Sequence, residues 1–279
     1  MIVRRPAVAG SFYPGDPDEL RALIRDSYLH PLGPGSTPPS KEERKGVMAC
    51  VCPHAGYIYS GPVAAHSYLW VSALRRPELV VVVGPNHYGI GSGISTFREG
   101  EWATPLGNLP VDGEAARRIV ELTGIVDFDP ESQRREHSLE VQLPFLQEVY
   151  HEFKILPICL SFQDLDTARD LGRGLSVLLK GRDAVLVASS DLTHYEPASV
   201  AREKDTALLE TVKRMDVEAF YRVLEERRVT ACGYGAIATV MEACRLLGFK
   251  RGELHKYASS GDTTGDSDAV VGYPSVTFG

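Results

Sequence analysis

The chain reads as an α/β protein: a single domain with a central, mostly parallel sheet flanked by helices. Two observations predict this class. Short apolar runs alternate with helical patterns along the whole chain. The middle runs, VVVV, ILPICL and AVLVA, are apolar on both parities and rich in β-branched residues, as expected of strands covered on both faces.

In chain order, a first helix is expected over 16–28, followed by a Pro/Gly-rich loop over 31–40 (PLGPGSTPPS). Strands are expected over 47–52, 79–83, 154–160, 184–188 and 270–278. Helices are expected over 62–74, 113–122, 139–151, 166–179, 201–213, 217–226 and 236–247. Asp112 before GEAARRIVEL and Asp216 before VEAFYRVLEE have the placing of N-caps. The 31–40 loop lies too near the N-terminus to divide two domains, and no internal repeat is present. The 279 residues are therefore read as one domain spanning 1–279.

Composition excludes several classes of function. With 43% hydrophobic and 24% charged residues, the chain is neither disordered nor fibrous. A net charge of −7 gives nucleic-acid phosphates no basic surface. Five cysteines are too few for a disulfide scaffold. The first residues, MIVRRPAVAGSFYPGDP, lack the apolar stretch of a signal peptide. The longest strongly apolar stretch, 79–83, is far short of the ~20 residues that span a bilayer. A cytoplasmic protein with reduced thiols and no membrane partner is expected.

Polar residues collect just after the apolar strands. Pro53-His54-Ala55-Gly56-Tyr57 follows the first, Pro85-Asn86-His87-Tyr88 the second, and Asp191-Leu192-Thr193-His194-Tyr195 the run AVLVASS. In open α/β sheets the carboxyl ends of strands share one edge, where ligand crevices form. Histidine is both the commonest metal ligand and the usual general base, so His54, His87 and His194 are the candidates there. Glu136-His137-Ser138-x-Glu140 precedes a helix without zinc-protease spacing and is expected to cap and face solvent. Gly89 to Gly93 is read as a plain flexible loop.

The cysteines divide by position. Cys159 and Cys244 lie in apolar segments and read as core, as do Cys50 and Cys52, although their shared parity with His54 permits a ligand cluster. Cys232, in TACGYGA, stands where glycines open a helix. A thiol at a helix N-terminus is expected as thiolate, the form that binds metal or attacks carbonyl carbon.

The segments 5–14 (RPAVAGSFYP), 53–65 (PHAGYIYSGPVAA), 84–89 (GPNHYG), 136–146 (EHSLEVQLPFL), 189–195 (SSDLTHY) and 232–237 (CGYGAI) resemble the Memo family, whose microbial members carry the label AmmeMemoRadiSam system protein B. The matching segments run in order over nearly the whole chain. The resemblance implies a fold similar to the class III non-haem extradiol dioxygenases (LigB-like). It also implies His54, His87 and Cys232 as metal ligands, with Asp191 and His194 beside them. In those dioxygenases two histidines and a glutamate hold Fe(II), and a further histidine serves as acid/base. Here His194 matches the latter and Cys232 takes the glutamate position. A thiolate is softer than a carboxylate and favours copper or zinc, so ring cleavage does not carry over.

Two readings follow. The first is a metal-dependent oxidoreductase of unknown substrate holding iron or copper, with zinc as a further candidate. In it, Asp191 orients His194, and Tyr13, Tyr57 and Tyr195 wall the pocket. The second is a non-catalytic protein that binds a peptide or small molecule and acts with radical-SAM and AMMECR-type partner proteins, as the resemblance implies. A thiol hydrolase using Cys232 with His194 is a third option.

Overall fold

The protein is described by a computed structural model covering residues 2–150 and 152–279. The chain opens with β1 (Val3–Arg4) and α1 (Pro17–Leu29), the latter capped by the Asp16 carboxylate. Next come β2 (Val47–Cys52), α2 (Tyr57–Val71) and β3 (Leu79–Pro85). Three short strands follow, β4 (Ile94–Thr96), β5 (Glu101–Thr104) and β6 (Gly107–Pro110). The middle of the chain forms α3 (Gly113–Thr123), β7 (Asp127–Phe128), α4 (Pro130–Gln133), α5 (Gln142–Val149), β8 (Ile155–Leu160), α6 (Leu165–Leu179) and β9 (Ala184–Ser189). The last part holds β10 (His194–Glu196), α7 (Ala198–Arg214), α8 (Val217–Glu226), α9 (Tyr234–Leu247), β11 (Gly252–Ser259), α10 (Ser260–Thr264) and β12 (Val270–Phe278).

Asp112 and Asp216 cap α3 and α8 as expected, Asp112 accepting from Glu114 N and Ala115 N and Asp216 from Ala219 N. Helix α2 begins five residues before its expected start at Pro62. That proline lacks the N–H that would bond to the Ile58 carbonyl, and Ile58 lies at the surface where water can replace it. The helix expected over 139–151 is shorter, since residues 139–141 turn inward before α5 starts; residue 151 lies outside the described residues.

The main sheet runs β10-β12-β2-β9-β3-β8-β4-β7, with β11 pairing β12. Its centre, β2-β9-β3-β8, is parallel as expected, whereas β10, β11, β12 and β4 make antiparallel pairs toward the margins. A separate small sheet, β1-β5-β6, lies outside the expected strands; its strands are two to four residues long and carry little periodicity.

Alternate residues of the central strands fill two cores. Val51, Val81, Ile158 and Leu186 pack on the face covered by α3, α6 and α9. Met48, Cys50, Cys52, Val82 and Val187 pack on the face covered by α1, α2 and α5. The result is one α/β/α domain, and Cys50, Cys52, Cys159 and Cys244 are all buried within it.

Candidate metal centre

Strands β2, β9 and β3 are adjacent and parallel, so their carboxyl ends lie side by side. His54, Asp191 and His87 are each the second residue beyond their strand. They meet in a cavity of about 620 Å³ that also takes in His137, His194 and Cys232. One ligand atom from each of His54, His87 and Cys232 lies within 4.8 Å of the others. His54 Nε2 and Cys232 Sγ are 3.1 Å apart.

The tautomer of His54 follows from its neighbours. Gln142 Nε2 donates to Pro53 O, which can only accept, and to Ser189 Oγ (2.8 Å). Ser189 Oγ gives its own proton to Ser138 O (2.6 Å). Toward His54 Nδ1, 2.8 Å away, Ser189 can therefore only accept. The proton resides on Nδ1, and the Nε2 lone pair points toward Cys232. Burial, with His137 and His87 nearby, holds the His54 pKa well below its usual value, so the ring is neutral.

His87 is oriented by a different route. Glu136 Oε1 accepts from His87 Nδ1 (2.8 Å) and Ser138 N (2.8 Å), while Oε2 accepts from His87 N (2.7 Å). Burial opposes this carboxylate, but those hydrogen bonds and the nearby imidazoles hold its pKa down at about 2. His87 thus donates through Nδ1 to a fixed anion, the outer-shell arrangement that orients a ligating imidazole. Glu136 is placed in turn by Arg4, whose Nη2 donates to the Glu136 carbonyl. Arg4 also pairs with the buried Glu140 at 2.6 Å, which accepts from Tyr13 and from the amides of Ala7 and Val8.

Cys232 enters from the loop before α9. Gly233 N donates to Ser190 Oγ (2.9 Å), and a Cβ on Gly233 would fall 2.3 Å from the Ser189 carbonyl. Only glycine permits that approach. Gln163 holds the loop from the other side, donating to Cys232 O and accepting from Gly235 N. The expectation of a thiolate is corrected here. Burial pushes the thiol up, with Asp191 adding to it and hydrogen bonds from the Asp191 amide and Ser190 opposing it, so the thiolate is disfavoured without a cation. A bound cation reverses that balance.

The proposed pairing of Asp191 with His194 is also corrected. Asp191 Oδ1 accepts from the His54 backbone N–H (2.8 Å), and burial lifts its carboxyl to about 6 against that bond. His194 is instead oriented by Thr230, donating from its backbone N to Oγ1 (2.8 Å) and from Nδ1 to the carbonyl (3.0 Å). Among the described residues its Nε2 has no hydrogen-bond partner. The loop carrying Asp191 and His194 is tied by the buried Asp205, which accepts from Thr193 N, Thr193 Oγ1 and Tyr257 OH.

The expectation that Glu136, His137 and Glu140 cap a helix in solvent is overturned. Both glutamates are fully buried, and His137 stacks on His87 with ring centroids 4.4 Å apart. Burial brings the His137 pKa down to about 4. Of the three expected wall tyrosines only Tyr195 lines the cavity, joined by Phe12 and Tyr59, while Tyr13 and Tyr57 are core. Tyr195 is largely exposed and has φ 59°, a left-handed backbone beside the site. Cys50 and Cys52 lie in the core under α1 and α2, not in the cluster.

Residues 4–277 match the family of Memo-like proteins. The chain belongs to this Memo family. It is 48% identical over 278 residues to a MEMO1 family protein of Nitrosopumilus maritimus, covering 99% of this chain and 100% of the relative. It is 46% identical to one from Sulfolobus acidocaldarius, covering all of both chains. A solved structure of an uncharacterized Escherichia coli K12 protein, JW3007, is similar with a TM-score of 0.58 and 17% identity, covering 85% of this chain and 100% of that one. That likeness extends to the fold. In this Memo family chain, no helix among the described residues is long and apolar enough to cross a membrane.

Proposed function

We propose that this Memo family protein holds one metal ion, iron or copper with zinc as the competing ion, through His54 Nε2, His87 Nε2 and Cys232 Sγ. The observation that carries the reading is the commitment of both Nδ1 protons to buried acceptors, which leaves two imidazole lone pairs facing one thiol. The donor set fits such an ion: two imidazoles, each with Nδ1 committed to a buried acceptor, and a sulfur that would bind as thiolate. Glu136 is saturated by His87 and Ser138 and acts as the orienting partner rather than a ligand.

The activity proposed is that of a metal-dependent oxidoreductase, in keeping with the resemblance to class III extradiol dioxygenases, but with a thiolate where those enzymes carry a carboxylate. When bound, a redox metal supplies Lewis acidity and electron transfer at this position. The chain's own residues do the rest. His194, whose Nδ1 is committed to Thr230 and which lines the cavity, and Asp191, with its carboxyl lifted to about 6, hold and move protons. Phe12, Tyr59 and Tyr195 frame the opening for a substrate with apolar surface. The thiol-hydrolase reading is disfavoured, since the Cys232 thiol is pushed up and its imidazole neighbour is His54 rather than His194.

Anaerobic purification with measurement of iron, copper and zinc tests the assignment. The expected result is near one metal per chain after Fe(II) or Cu(I) loading, lost in Cys232→Ser and His87→Ala. Loading that never approaches one per chain overturns it. The exposed Tyr59 and Tyr195 beside the cavity support a second reading, a non-catalytic peptide- or protein-binding role with radical-SAM or AMMECR-type partners. Stoichiometric metal with no oxygen consumption across catechols and thiols would favour it.

A further inference from the structure

We propose that the cavity beside β1 is a binding site for a small organic oxyanion with an apolar body, a carboxylate or a phosphate ester. It has a volume of about 730 Å³, within the ~300–1,000 Å³ typical of small-molecule pockets. Its lining is out of character with the rest of the chain. The protein carries a net charge of −7, yet this wall presents Arg4, Arg5, Arg134 and Arg135 against a single acid, Glu131.

Two of these arginines are already engaged. Arg4 is paired with Glu140 and lies over the Trp102 ring, and Arg134 is paired with Glu131. Among the described residues, the guanidiniums of Arg5 and Arg135 have no ion-pair or hydrogen-bond partner, although both line the cavity. Each offers a planar fork that matches a carboxylate or phosphate. Around them lie the buried Phe97 and the half-exposed Val3 and Tyr88. Free cationic forks beside uncovered apolar surface fit a ligand that is charged at one end only.

The backbone that carries the two free arginines is held in place. Arg4, next to Arg5, donates from Nε to Gln133 O and from Nη2 to Glu136 O. Those carbonyls lie on either side of the Arg134-Arg135 pair. Ala7 N and Val8 N are fixed on the Glu140 carboxylate. Both guanidiniums therefore spring from backbone that is already ordered, which limits the entropy lost on binding. The cavity shares no lining residue with the metal centre, and the inference does not rest on the metal.

The test is calorimetric titration of the metal-free full chain with 3-phenylpropionate, its neutral amide and inorganic phosphate. Saturable one-to-one binding of the carboxylate is expected. The amide should bind about tenfold or more weakly, and so should the carboxylate to Arg5→Gln and Arg135→Gln, because each change removes a charge-assisted bond. Lys45→Gln, which removes the same charge elsewhere on the surface, and Cys232→Ser should bind as the wild type does. Inorganic phosphate, lacking the apolar body, should bind more weakly. No saturable binding, equal binding of the amide, or affinity unchanged in both arginine variants would overturn the proposal. Phosphate binding as tightly as the carboxylate would overturn the assignment of an apolar body.

Discussion

His87 and His194 face the same cavity but are held in opposite ways. His87 donates to a buried carboxylate that is itself fixed by a serine amide and by Arg4. His194 sits on a three-residue strand, donates to the Thr230 carbonyl and is followed by an exposed tyrosine in the left-handed region. The first arrangement suits a ligand whose lone pair must be aimed; the second suits a group that shifts as it takes and releases a proton. The two imidazoles at this edge therefore differ in what anchors them, a buried carboxylate for one and a backbone carbonyl for the other.

That contrast breaks most severely at the support of the rigid side. Arg4→Met leaves Glu140 buried without its cation, and removal of one partner of such a pair costs about 3–5 kcal/mol. A urea-unfolding midpoint lowered on that scale is expected, whereas an unchanged midpoint would show that Arg4 is not the clamp. Glu136→Gln should lower metal affinity by about 10–100-fold, the usual cost of losing an outer-shell carboxylate; competition with a chelator of known affinity measures it. Ser189→Ala strands the His54 Nδ1–H and the Gln142 amide, at about 1–3 kcal/mol in thermal or urea unfolding.

Titration sharpens the comparison further. His137 is held down from 6.5 to about 4, so between those values the unfolded chain binds more protons than the folded one. The metal-free protein should lose this contribution to stability as pH falls from 6.5 to about 4. Asp191, raised from 3.8 to about 6, acts with the opposite sign. The readout is accordingly the difference between wild type and His137→Gln, which should be pH-dependent in that window and flat above it. The smallest effect is expected at His194→Gln, with stability within about 0.5 kcal/mol and metal content unchanged. A loss of metal there would place His194 among the ligands.

What the sequence makes legible here is whatever is local and apolar. The parallel centre, the caps at Asp112 and Asp216 and the convergence of His54, His87 and Asp191 all follow from unbroken hydrophobic runs and the residues just after them. The burial of Glu136 and Glu140 is not legible in this way. Read locally, EHSLE is a charged segment. Its partners His87 and Arg4 lie 49 and 136 residues away, and only folding brings them together. The same limit explains Cys232: a helix start is visible in the sequence, but the burial that pushes its thiol up is not.

The place of β9 has a consequence for the order of events during synthesis. His54 and His87 extend strands that are not neighbours, because β9 lies between them and pairs with both. A nascent chain that has emerged only as far as residue 183 has both imidazoles but nothing to set their separation. Even when β9 arrives, bringing Ser189 to fix the His54 tautomer, the sulfur is still 43 residues away in the chain, 232 − 189. Such long-range closure makes the centre a late-forming part of the molecule. The three donors can therefore face one another only after residue 232 has been made and β9 has paired with both strands.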